Sequence, residues 1–393
     1  MALSVADILI LSTADWDHPL WTNKQHVAVS LHALGHRIIY VESLGIRTPR
    51  LYCGRDVFRI LRRLRRLLNP LQQRLPGIWV LSPPVLPGLT EGIGVKFNSF
   101  VLAICLSVVR WRLGVRELLL WTFNPLASRY LDLKSFSQTV YHCVDRLQAQ
   151  PGMPIALLDC AESELCRQVN IVFTTAPFLQ KKLAPLNTDT YFFGNVADVD
   201  HFKSASLGTC SRPTDLPWVR GPMLIFIGAI DAYKLELDQI YELVKRTPEW
   251  TYVFIGPIGE SDPSTNVELL RTLPNLYLMG SRAYRDLPAY LAYADVALLP
   301  LRINDYTCHM YPMKFFEYLA SGCPIVGTAI PSLYEQADVA SLCKPTAVEF
   351  EKAIRRVLHG DVPSLESRLA RANLNTYKRR TAAMLRLLPR PLS

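Results

Sequence analysis

Two charged residues in the segment YPMKFFEYLASGCPIVGT, residues 311–328, have the types and spacing that suit a phosphorylated ligand. Lys314 and Glu317 are three residues apart on one face of a predicted helix that Pro312 begins and Gly322 ends. The lysine can reach a phosphate, and the carboxylate can accept hydrogen bonds from the hydroxyls of a ribose. The alternative is a surface ion pair, which contributes only about a few tenths of a kcal/mol.

The segment FIGAIDAYKLELDQI, residues 226–240, has a second arrangement that suits phosphate. Gly228 stands at the end of an apolar run, and Lys234 follows a short loop just before a helical pattern. A helix N-terminus together with an ammonium group attracts a diphosphate. If this loop is taken alone, a solvent-exposed lysine is the alternative interpretation.

These residues belong to an alternation of apolar runs and helical patterns that predicts two α/β units with parallel sheets. Short apolar runs flanked by turn residues predict buried strands. They read DILILST, RIIYVES, IWVLSPP, LLLWTFN, TVYHCVD and IVFTTAP, and then MLIFIGAI, TYVFIGP, LYLMG, VALLP and PIVGT. Helical spacing is found near 97–113, 235–246, 285–293, 312–321 and 347–358.

A stretch rich in Ser, Pro and Gly separates the two units and is the predicted linker. We predict an N-terminal domain over 1–203, the linker over 204–222, and a C-terminal domain over 223–375. A tail or helix over 376–393 can pack back on the N-terminal domain. Two open α/β units leave a cleft between them, and ligands bind outside the carboxyl ends of such strands.

The composition is typical of a globular protein with a basic surface. Lys and Arg number 43 against 34 Asp and Glu, a net charge of +9, which favours nucleic acid, a phosphorylated ligand or an anionic membrane as partner. Nine scattered cysteines without zinc-type spacing indicate reduced thiols in the cytosol. The Asp-x-Asp pairs that begin at Asp15 and Asp198 are expected to serve turns or helix caps. We therefore expect no metal and no other cofactor.

The membrane expectations rest on three segments. The N-terminus has neither a basic region nor a cleavage site, so we expect no signal peptide. The apolar stretch Phe100–Val109 is shorter than the roughly 20 residues that span a bilayer, so we expect peripheral contact only. In RDVFRILRRLRRLLNPLQQR, leucines share one helical face and the opposite face carries Arg59, Arg62, Arg63 and Arg66. This pattern predicts a helix in an anionic interface, with core packing as the alternative.

The run PMKFFEYLASGCPIV resembles the donor-binding signature of GT-B glycosyltransferases. FIGAID with its lysine, NLYLMGSRAYRDLPAYLAYADVALLP and GNVADVDHF are similar to further segments of that family, and ADWDHPLWTNKQHVAVSLHALGHRIIYVES resembles its acceptor-side opening. The likeness covers nearly the whole chain and is strongest over 223–330. Among subfamilies it is most similar to teichuronic-acid and xanthan-type glucuronosyltransferases and to the group 1, family 4-like enzymes. It implies the GT-B fold, with two Rossmann-like parallel-sheet domains facing a cleft.

The resemblance also implies roles for individual residues in the second half of the chain. Glu317 would bind the ribose of the nucleotide, and Met313 and Lys314 would lie against the base and the phosphates. Lys234 would approach the diphosphate from the loop that begins at Gly228.

The same resemblance places the catalytic group in the first half. His309 stands where many retaining members carry a glutamate, and Ala229 stands where an arginine often follows the glycine, so a standard retaining mechanism is not favoured. In xanthan-type enzymes, a placement similar to that of Asp145 in TVYHCVDRLQAQPG supplies a base that deprotonates the acceptor hydroxyl. We predict Asp145 as the base, with His142 as second candidate because imidazole titrates near neutral pH. Helix capping is the alternative for Asp145.

These features predict a hexosyltransferase that moves a sugar from a nucleotide-sugar, most often UDP-linked in this family, to a lipid-linked or polysaccharide acceptor in surface polysaccharide biosynthesis. It would be cytoplasmic and peripheral on the inner face of the cytoplasmic membrane, with no nucleic acid partner. A GT-B-fold sugar-nucleotide epimerase is the alternative, although NKQHVAVSL offers only His26 as an acid or base. A non-enzymatic basic binding protein ranks last, because the arginines alternate with leucines rather than with aromatic residues.

Overall fold

The computed structural model describes residues 6–18, 21–46, 70–88, 92–218 and 221–389. The chain divides into two compact units. The first comprises Met1–Gln148, Gly152–Phe193 and Arg380–Ser393, and the second comprises Ala149–Pro151 and Gly194–Arg379. The second unit thus starts before the predicted linker, and the end of the chain belongs with the first unit.

The first unit is built on an eight-stranded sheet with the order β3-β4-β2-β1-β5-β6-β7-β8. Its pairings are parallel except that between β3 and β4. The strands are β1 (Asp7–Leu11), β2 (Arg37–Val41), β3 (Leu71–Leu75), β4 (Ile78–Leu81), β5 (Leu118–Thr122), β6 (Gln138–Cys143), β7 (Ile171–Thr174) and β8 (Thr190–Phe192). All six strands predicted for this half are confirmed, and β3 and β8 are additional.

The antiparallel edge pair β3–β4 differs from the all-parallel sheet that the sequence predicts. Strand β3 reads LQQRL, and its polar middle is largely exposed, so it lacks the apolar run of a buried strand. Polar side chains are common on edge strands because they discourage pairing with other chains. In the tight turn before β4, Gly77 has φ +80°, and a Cβ there would lie 2.3 Å from Cε1 of His32. The turn therefore requires glycine.

Helices cover both faces of the first sheet. They are α1 (Asn23–Ala33), α2 (Gly92–Leu113), α3 (Ala127–Tyr130), α4 (Ile155–Gln168) and α5 (Pro177–Leu183), with 3-10 turns at Leu133–Ser135 and Leu147–Ala149. Alternate residues of one strand enter different cores: Leu9 and Leu11 pack on one side, and Ile8 and Ile10 on the other. Burial on both faces explains why the central strands are continuous apolar runs.

The second unit is built on a six-stranded parallel sheet with the order β11-β10-β9-β12-β13-β14. The strands are β9 (Met223–Ile227), β10 (Thr251–Ile255), β11 (Leu276–Gly280), β12 (Val296–Leu299), β13 (Ile325–Thr328) and β14 (Ser341–Cys343). The five strands predicted for this half are confirmed. The short β14 has no long apolar run and was not predicted.

The second unit contains the four helices predicted near 235–246, 285–293, 312–321 and 347–358, and further helices that were not predicted. Its helices are α6 (Val199–Ser206), α7 (Leu237–Arg246), α8 (Glu268–Arg271), α9 (Leu287–Leu291), α10 (Asp305–Cys308), α11 (Met313–Ser321), α12 (Ala347–Leu358), α13 (Leu365–Leu374) and α14 (Tyr377–Arg386), with 3-10 turns at Tyr284–Asp286 and Pro331–Gln336. Helix α6 extends into the predicted linker, and the last helix runs from the second unit into the first.

The two Asp-x-Asp pairs have ordinary structural roles. Asp198 caps helix α6, because its carboxylate accepts a hydrogen bond from the N–H of His201. The Asp15 carbonyl accepts from the N–H of His18 in a turn, and Asp17 pairs with Arg74 at 2.9 Å. Within the described ranges, no group of three His, Cys, Asp or Glu side chains is arranged to hold a metal.

Two of the segments on which the membrane expectations rest are the arginine face and the apolar stretch Phe100–Val109, and the structure describes only the second. The arginine face formed by Arg59, Arg62, Arg63 and Arg66 lies outside the described residues. Helix α2 has 22 residues and is long and apolar enough to cross a membrane by length and composition, with 22% of its most apolar window buried. The argument from the short stretch Phe100–Val109 is therefore wrong, because the helix extends beyond that stretch in both directions. Length and composition are weak evidence for a span, since core helices of soluble proteins also meet them.

Candidate functional site

Three adjacent strands of the second sheet reach glycines at their carboxyl ends. Gly228 follows β9, Gly256 follows β10 and Gly280 ends β11. The N–H of Gly228 donates to the carbonyl of Ile255, and that of Gly256 donates to the carbonyl of Gly280, both at 2.9 Å. Gly256 has φ +151°, and a Cβ there would lie 1.8 Å from the Gly228 oxygen. Since only glycine fits at 256, this edge presents bare backbone that a ligand can approach closely.

Helix α11 is fixed to its surroundings in the second unit at its middle and at its C-terminal end. Its predicted ends are confirmed: Pro312 precedes the first residue, and Gly322 ends the helix at φ +76°. The hydroxyl of Tyr318 accepts from the N–H of Ile227 at 2.8 Å, which joins the helix to the last residue of β9. The Arg368 guanidinium donates to the Gly322 carbonyl at 2.8 and 3.1 Å, and burial lowers the pKa of this arginine. The helix is therefore held rigidly beside the glycine edge.

The Lys314–Glu317 pair on this helix is a partly buried ion pair. The ammonium nitrogen of Lys314 lies 2.6 Å from Oε2 of Glu317, and the side chains are 20% and 2% exposed, respectively. A buried carboxylate is costly unless it is paired and hydrogen-bonded. The surface ion pair considered as the alternative is therefore excluded by the burial of Glu317. The lysine retains an accessible side from which it can meet a ligand.

A second lysine–carboxylate pair lies in the loop after Gly228. The ammonium nitrogen of Lys234 is 3.4 Å from Oδ2 of Asp231, and the side chains are 21% and 0% exposed. Oδ1 of Asp231 accepts from the N–H groups of Ser261 and Asp262 at 3.1 and 3.2 Å, which joins the loops after β9 and β10. Sequence reasoning missed Asp231. The available signal was its spacing of three residues from Lys234, the same as that between Lys314 and Glu317.

The loop that carries Lys234 is held by its neighbours in the second unit. The side-chain amide of Asn304 donates to the Tyr233 carbonyl at 2.7 Å, and the N–H of Arg302 donates to the Lys234 carbonyl at 2.8 Å. The ammonium group lies 5.1 and 5.7 Å from the ring centroids of Tyr233 and Tyr306. These contacts disfavour the alternative of a loosely solvated lysine, because both its backbone and its head group are positioned.

Tyr284 is an aromatic neighbour of Glu317 that the sequence did not reveal. Burial, followed by the negative charge of Glu317, raises the pKa of Tyr284, so the phenol stays protonated at neutral pH. Its ring stacks on His201 with the centroids 4.6 Å apart, and Nε2 of His201 lies 3.0 Å from the Tyr284 carbonyl oxygen. Tyr284 therefore lies within the electrostatic influence of the carboxylate that is predicted to bind ribose.

Two further positions singled out in the sequence, Met313 and His309, lie at the start of helix α11 and just before it. Met313 is its first residue, and its sulfur accepts a weak hydrogen bond from the Tyr377 hydroxyl at 3.9 Å. His309, at the position where many retaining enzymes carry a glutamate, is buried, and its Nδ1 contacts the carbonyl of Asp305. The departure noted in the sequence thus places an imidazole, rather than a carboxylate, beside the start of α11.

In the first unit, His142 lies inside the sheet. It is fully buried on β6, where Trp121 donates to its Nδ1 at 3.3 Å and Phe123 stacks on it with the centroids 4.9 Å apart. Burial, then the positive charges of Arg380 and Lys24, lower the pKa of His142 well below its ordinary value. A buried imidazole of low pKa within an aromatic cluster is poorly placed to take a proton from an acceptor. This environment disfavours His142 as the base.

Asp145 follows the carboxyl end of β6 and is half-buried. Its carbonyl accepts from the N–H of Leu147 at 3.1 Å. The next turn is anchored by Gln148, whose amide donates at 3.1 Å to the buried carboxylate of Glu162 on α4. Glu162 also accepts from Tyr141 at 2.8 Å. The Asp145 loop is therefore fixed on both sides to one carboxylate. Sequence reasoning missed Glu162 because its partners lie on three separate elements: β6, the 3-10 turn at Leu147–Ala149 and α5. The catalytic role of Asp145 stays a prediction.

Comparisons with known proteins agree with this arrangement. Residues 221–360 match the sequence model of the family Glycosyl transferases group 1, and this range contains every predicted donor-site residue. The chain is 30% identical over 233 residues to a protein of Bacillus subtilis strain 168 that is named as a teichuronic acid biosynthesis glycosyltransferase, TuaH. That match covers 56% of this chain and 57% of TuaH, so the chain matches little more than half of its relative.

Solved structures show the fold. Sucrose-phosphate synthase of Thermosynechococcus elongatus has a TM-score of 0.68 and 16% identity, covering 97% of this chain and 98% of its own. Trehalose 6-phosphate synthase of Burkholderia multivorans has a TM-score of 0.68 and 11% identity, covering 98% of each chain. Anabaena HepE, solved with UDP and glucose, has a TM-score of 0.64 and 13% identity, covering 97% of this chain and 99% of its own.

The chain thus has the GT-B fold, and the prediction of two Rossmann-like parallel-sheet domains is confirmed. Residues 221–360 form a group 1 glycosyltransferase domain, so the resemblance seen in the sequence is confirmed as well.

Proposed function

We propose that this protein is a glycosyltransferase of the hexosyltransferase class, which moves a sugar from a UDP-linked donor to a lipid-linked or polysaccharide acceptor. One observation carries the proposal: the group 1 domain holds two lysine–carboxylate pairs of the same construction. In Lys234–Asp231 and Lys314–Glu317 the carboxylate is buried, whereas the lysine side chains are 21% and 20% exposed. Such pairs hold cations in place for an anionic ligand.

The diphosphate of the donor would bind at these two lysines. A charge-assisted hydrogen bond contributes about 1.5–3 kcal/mol, more than a neutral one. No side chain of the described residues caps the start of α11, so the first N–H groups of this helix add partial positive charge for an anion. The bare backbone near Gly228 and Gly256 gives the phosphates room. When Lys314 turns to the phosphates, Glu317 can accept the ribose hydroxyls.

The choice of UDP and of the acceptor rests on relatives. HepE was solved with UDP and glucose, and the name of TuaH places that protein in teichuronic acid biosynthesis. By analogy, we infer a UDP-sugar donor and a surface polysaccharide acceptor for this chain. The surplus of cationic side chains, a net charge of +9, suits an acidic sugar such as glucuronate.

The acceptor hydroxyl would be deprotonated by Asp145 as it attacks the anomeric carbon of the donor sugar. The bond from that carbon to the diphosphate breaks, and UDP leaves with its charge matched by Lys234 and Lys314. The absence of a glutamate at His309 favours this inverting course. We place the reaction in the cytoplasm, at the inner face of the cytoplasmic membrane, with neither a metal nor another cofactor. The membrane contacts would be Arg59, Arg62, Arg63 and Arg66.

A panel of nucleotide-sugars tests the activity. We expect slow release of UDP from one UDP-sugar by the purified protein, and faster release when a lipid-linked saccharide is added. Formation of an epimeric nucleotide-sugar without an acceptor would instead support the epimerase alternative. No turnover and no binding with any nucleotide-sugar would contradict both enzymatic readings.

A further inference from the structure

Helix α2 of the first unit carries a continuous row of large apolar side chains that face solvent. They recur at intervals of three or four residues, so they share one helical face, and each is between 45% and 86% exposed. They are Ile93, Phe97, Phe100, Ile104, Val108 and Trp111. At about 1.5 Å per residue the row is about 27 Å long. Exposed apolar patches of this extent mark interaction sites. We refer to these six residues as the α2 stripe.

The opposite face of the same helix is packed into the first unit. Asn98, Leu102, Leu106 and Val109 are buried there, and the three apolar residues belong to one of its cores. The amide of Asn98 also donates to the Leu86 carbonyl at 2.9 Å. The helix therefore lies along the surface of the unit. To cross a bilayer it would have to leave this core.

Cations border the α2 stripe on both sides. Helical geometry places Lys96 on one flank and Arg112 on the other, and both are exposed. The helix itself contains no Asp or Glu, and the exposed residues just beyond its end include one cation and one anion, Arg116 and Glu117. Lysine and arginine stems can lie along an apolar surface while their charges reach the phosphates of lipids. Trp111 near the end of the row is a residue type that is enriched at membrane interfaces.

This charge pattern favours a bilayer over a second copy of the chain. Packing two α2 stripes face to face would supply no acid to pair with Lys96 or Arg112, because the helix contains no Asp or Glu. An anionic bilayer, by contrast, matches both the apolar row and its cationic borders.

We propose that the α2 stripe is a docking surface for a bilayer with anionic lipids, and that helix α2 lies flat in its interface. The side chains of the α2 stripe enter the boundary between headgroups and acyl chains, and Lys96 and Arg112 contact headgroup phosphates. The α2 stripe and its flanking cations share no residue with the predicted arginine face of Arg59, Arg62, Arg63 and Arg66. It shares only the membrane partner with the proposed function, and it uses no residue of the donor site.

Co-sedimentation of the full chain with vesicles tests the inference. We expect binding to vesicles of phosphatidylcholine with phosphatidylglycerol, and weaker binding to phosphatidylcholine alone. The double substitution Phe100→Glu with Ile104→Glu should lower the partition coefficient by about tenfold or more, because two apolar side chains no longer enter the interface. Lys96→Gln with Arg112→Gln should lower it by about tenfold on anionic vesicles only.

A matched control is Leu269→Glu, which changes an exposed leucine of the second unit and should leave vesicle binding unchanged. Circular dichroism and UDP binding of each variant show that the fold and the donor site persist. If UDP binds but the Phe100→Glu, Ile104→Glu protein sediments like the unchanged chain, the inference fails while the proposed function stands.

Two other outcomes would also overturn it. Retention in the membrane pellet after alkaline carbonate extraction would mean that α2 inserts rather than lies flat. A concentration-dependent dimer that the same double substitution abolishes would assign the α2 stripe to a second copy of the chain.

Discussion

The carboxyl edges of the two sheets differ in the burial and the partners of their ionisable side chains. In the second unit, Lys234 and Lys314 each rest on a buried carboxylate and keep one side exposed. In the first unit, His142 lies among aromatic rings, and Glu162 is hydrogen-bonded by Tyr141 and Gln148. Glu162 is also paired with Lys182, but that lysine is shared with Asp159, so two carboxylates surround its charge. We therefore propose the second edge, rather than the first, as the anion site. The first edge is a rigid support that leaves Asp145 half-buried after its strand.

This difference suits the proposed transferase, because one part of its donor, the nucleoside diphosphate, has a fixed chemistry. A nucleoside diphosphate always presents two phosphates and a ribose, so fixed cations and bare backbone can be built for it. An acceptor hydroxyl needs only one well-placed base, and the network around Glu162 holds the loop that carries Asp145. Substitutions at one edge at a time test this comparison.

The largest effect is expected at the first edge. Asp145→Asn should lower turnover by about 10²–10⁴-fold, because the amide cannot accept the proton of the acceptor hydroxyl. UDP affinity should stay unchanged, since Asp145 belongs to the first unit and the donor lysines to the second. Steady-state kinetics with titration calorimetry measures both quantities. Full activity in this variant would remove Asp145 as the base and weaken the inverting course.

The next effect concerns the glycine edge of the second sheet. Gly256→Ala should lower the free energy of unfolding by about 2–4 kcal/mol, because the new Cβ meets the Gly228 carbonyl and φ +151° is strained for alanine. Urea denaturation measures the loss.

Gly360→Ala is the control for backbone strain alone. Gly360 also has positive φ, at +91°, but nothing lies within 4 Å of its added Cβ. This variant should lose only about 1–2 kcal/mol. Equal losses in the two variants would mean that the close approach at Gly256 is unimportant.

The smallest effect is the contribution of His142 to the pH dependence of the free energy of unfolding. Its pKa is lowered in the folded chain, so below the ordinary value of 6.5 the unfolded chain binds a proton that the folded chain does not. Stability should therefore fall as pH drops below 6.5, by at most about 1.4 kcal/mol per pH unit for one such group.

His142→Gln should remove this part of the slope while an oxygen still accepts from Trp121. His36, whose pKa is also lowered by burial, contributes in the same direction to both proteins, so the difference between them isolates His142. The measurement is the midpoint of urea denaturation of each protein between pH 5 and pH 7, a range that includes the ordinary pKa of 6.5. An identical pH dependence in the two proteins would contradict the buried, neutral imidazole.

Sequence reasoning worked where local chemistry decides the structure. The ends of α11 were predicted because Pro312 and Gly322 act on the backbone directly, and the buried parallel strands were predicted because both of their faces demand apolar residues. Lys314 and Glu317 were found together because helical spacing alone brings them into contact.

It failed where distant segments decide. Glu162 is recognised only through its partners on other elements, and β3 is a polar edge strand that exists because β4 pairs with it. The extent of α2 was underestimated because helical spacing was predicted only from residue 97, whereas the helix begins at Gly92. A helix tolerates glycine in its first turn at a modest cost.

The most direct test of the central claim, that lysines held on buried carboxylates form the anion site of the second unit, is the affinity for UDP by titration calorimetry. Lys314→Ala and Lys234→Ala should each weaken binding by about ten- to hundredfold, since each removes a charge-assisted contact. Lys352→Ala is the matched control, because Lys352 pairs with Glu349 at the same spacing on α12 but both side chains are well exposed. We predict normal affinity for Lys352→Ala alone. Equal affinities in all three variants would contradict the account.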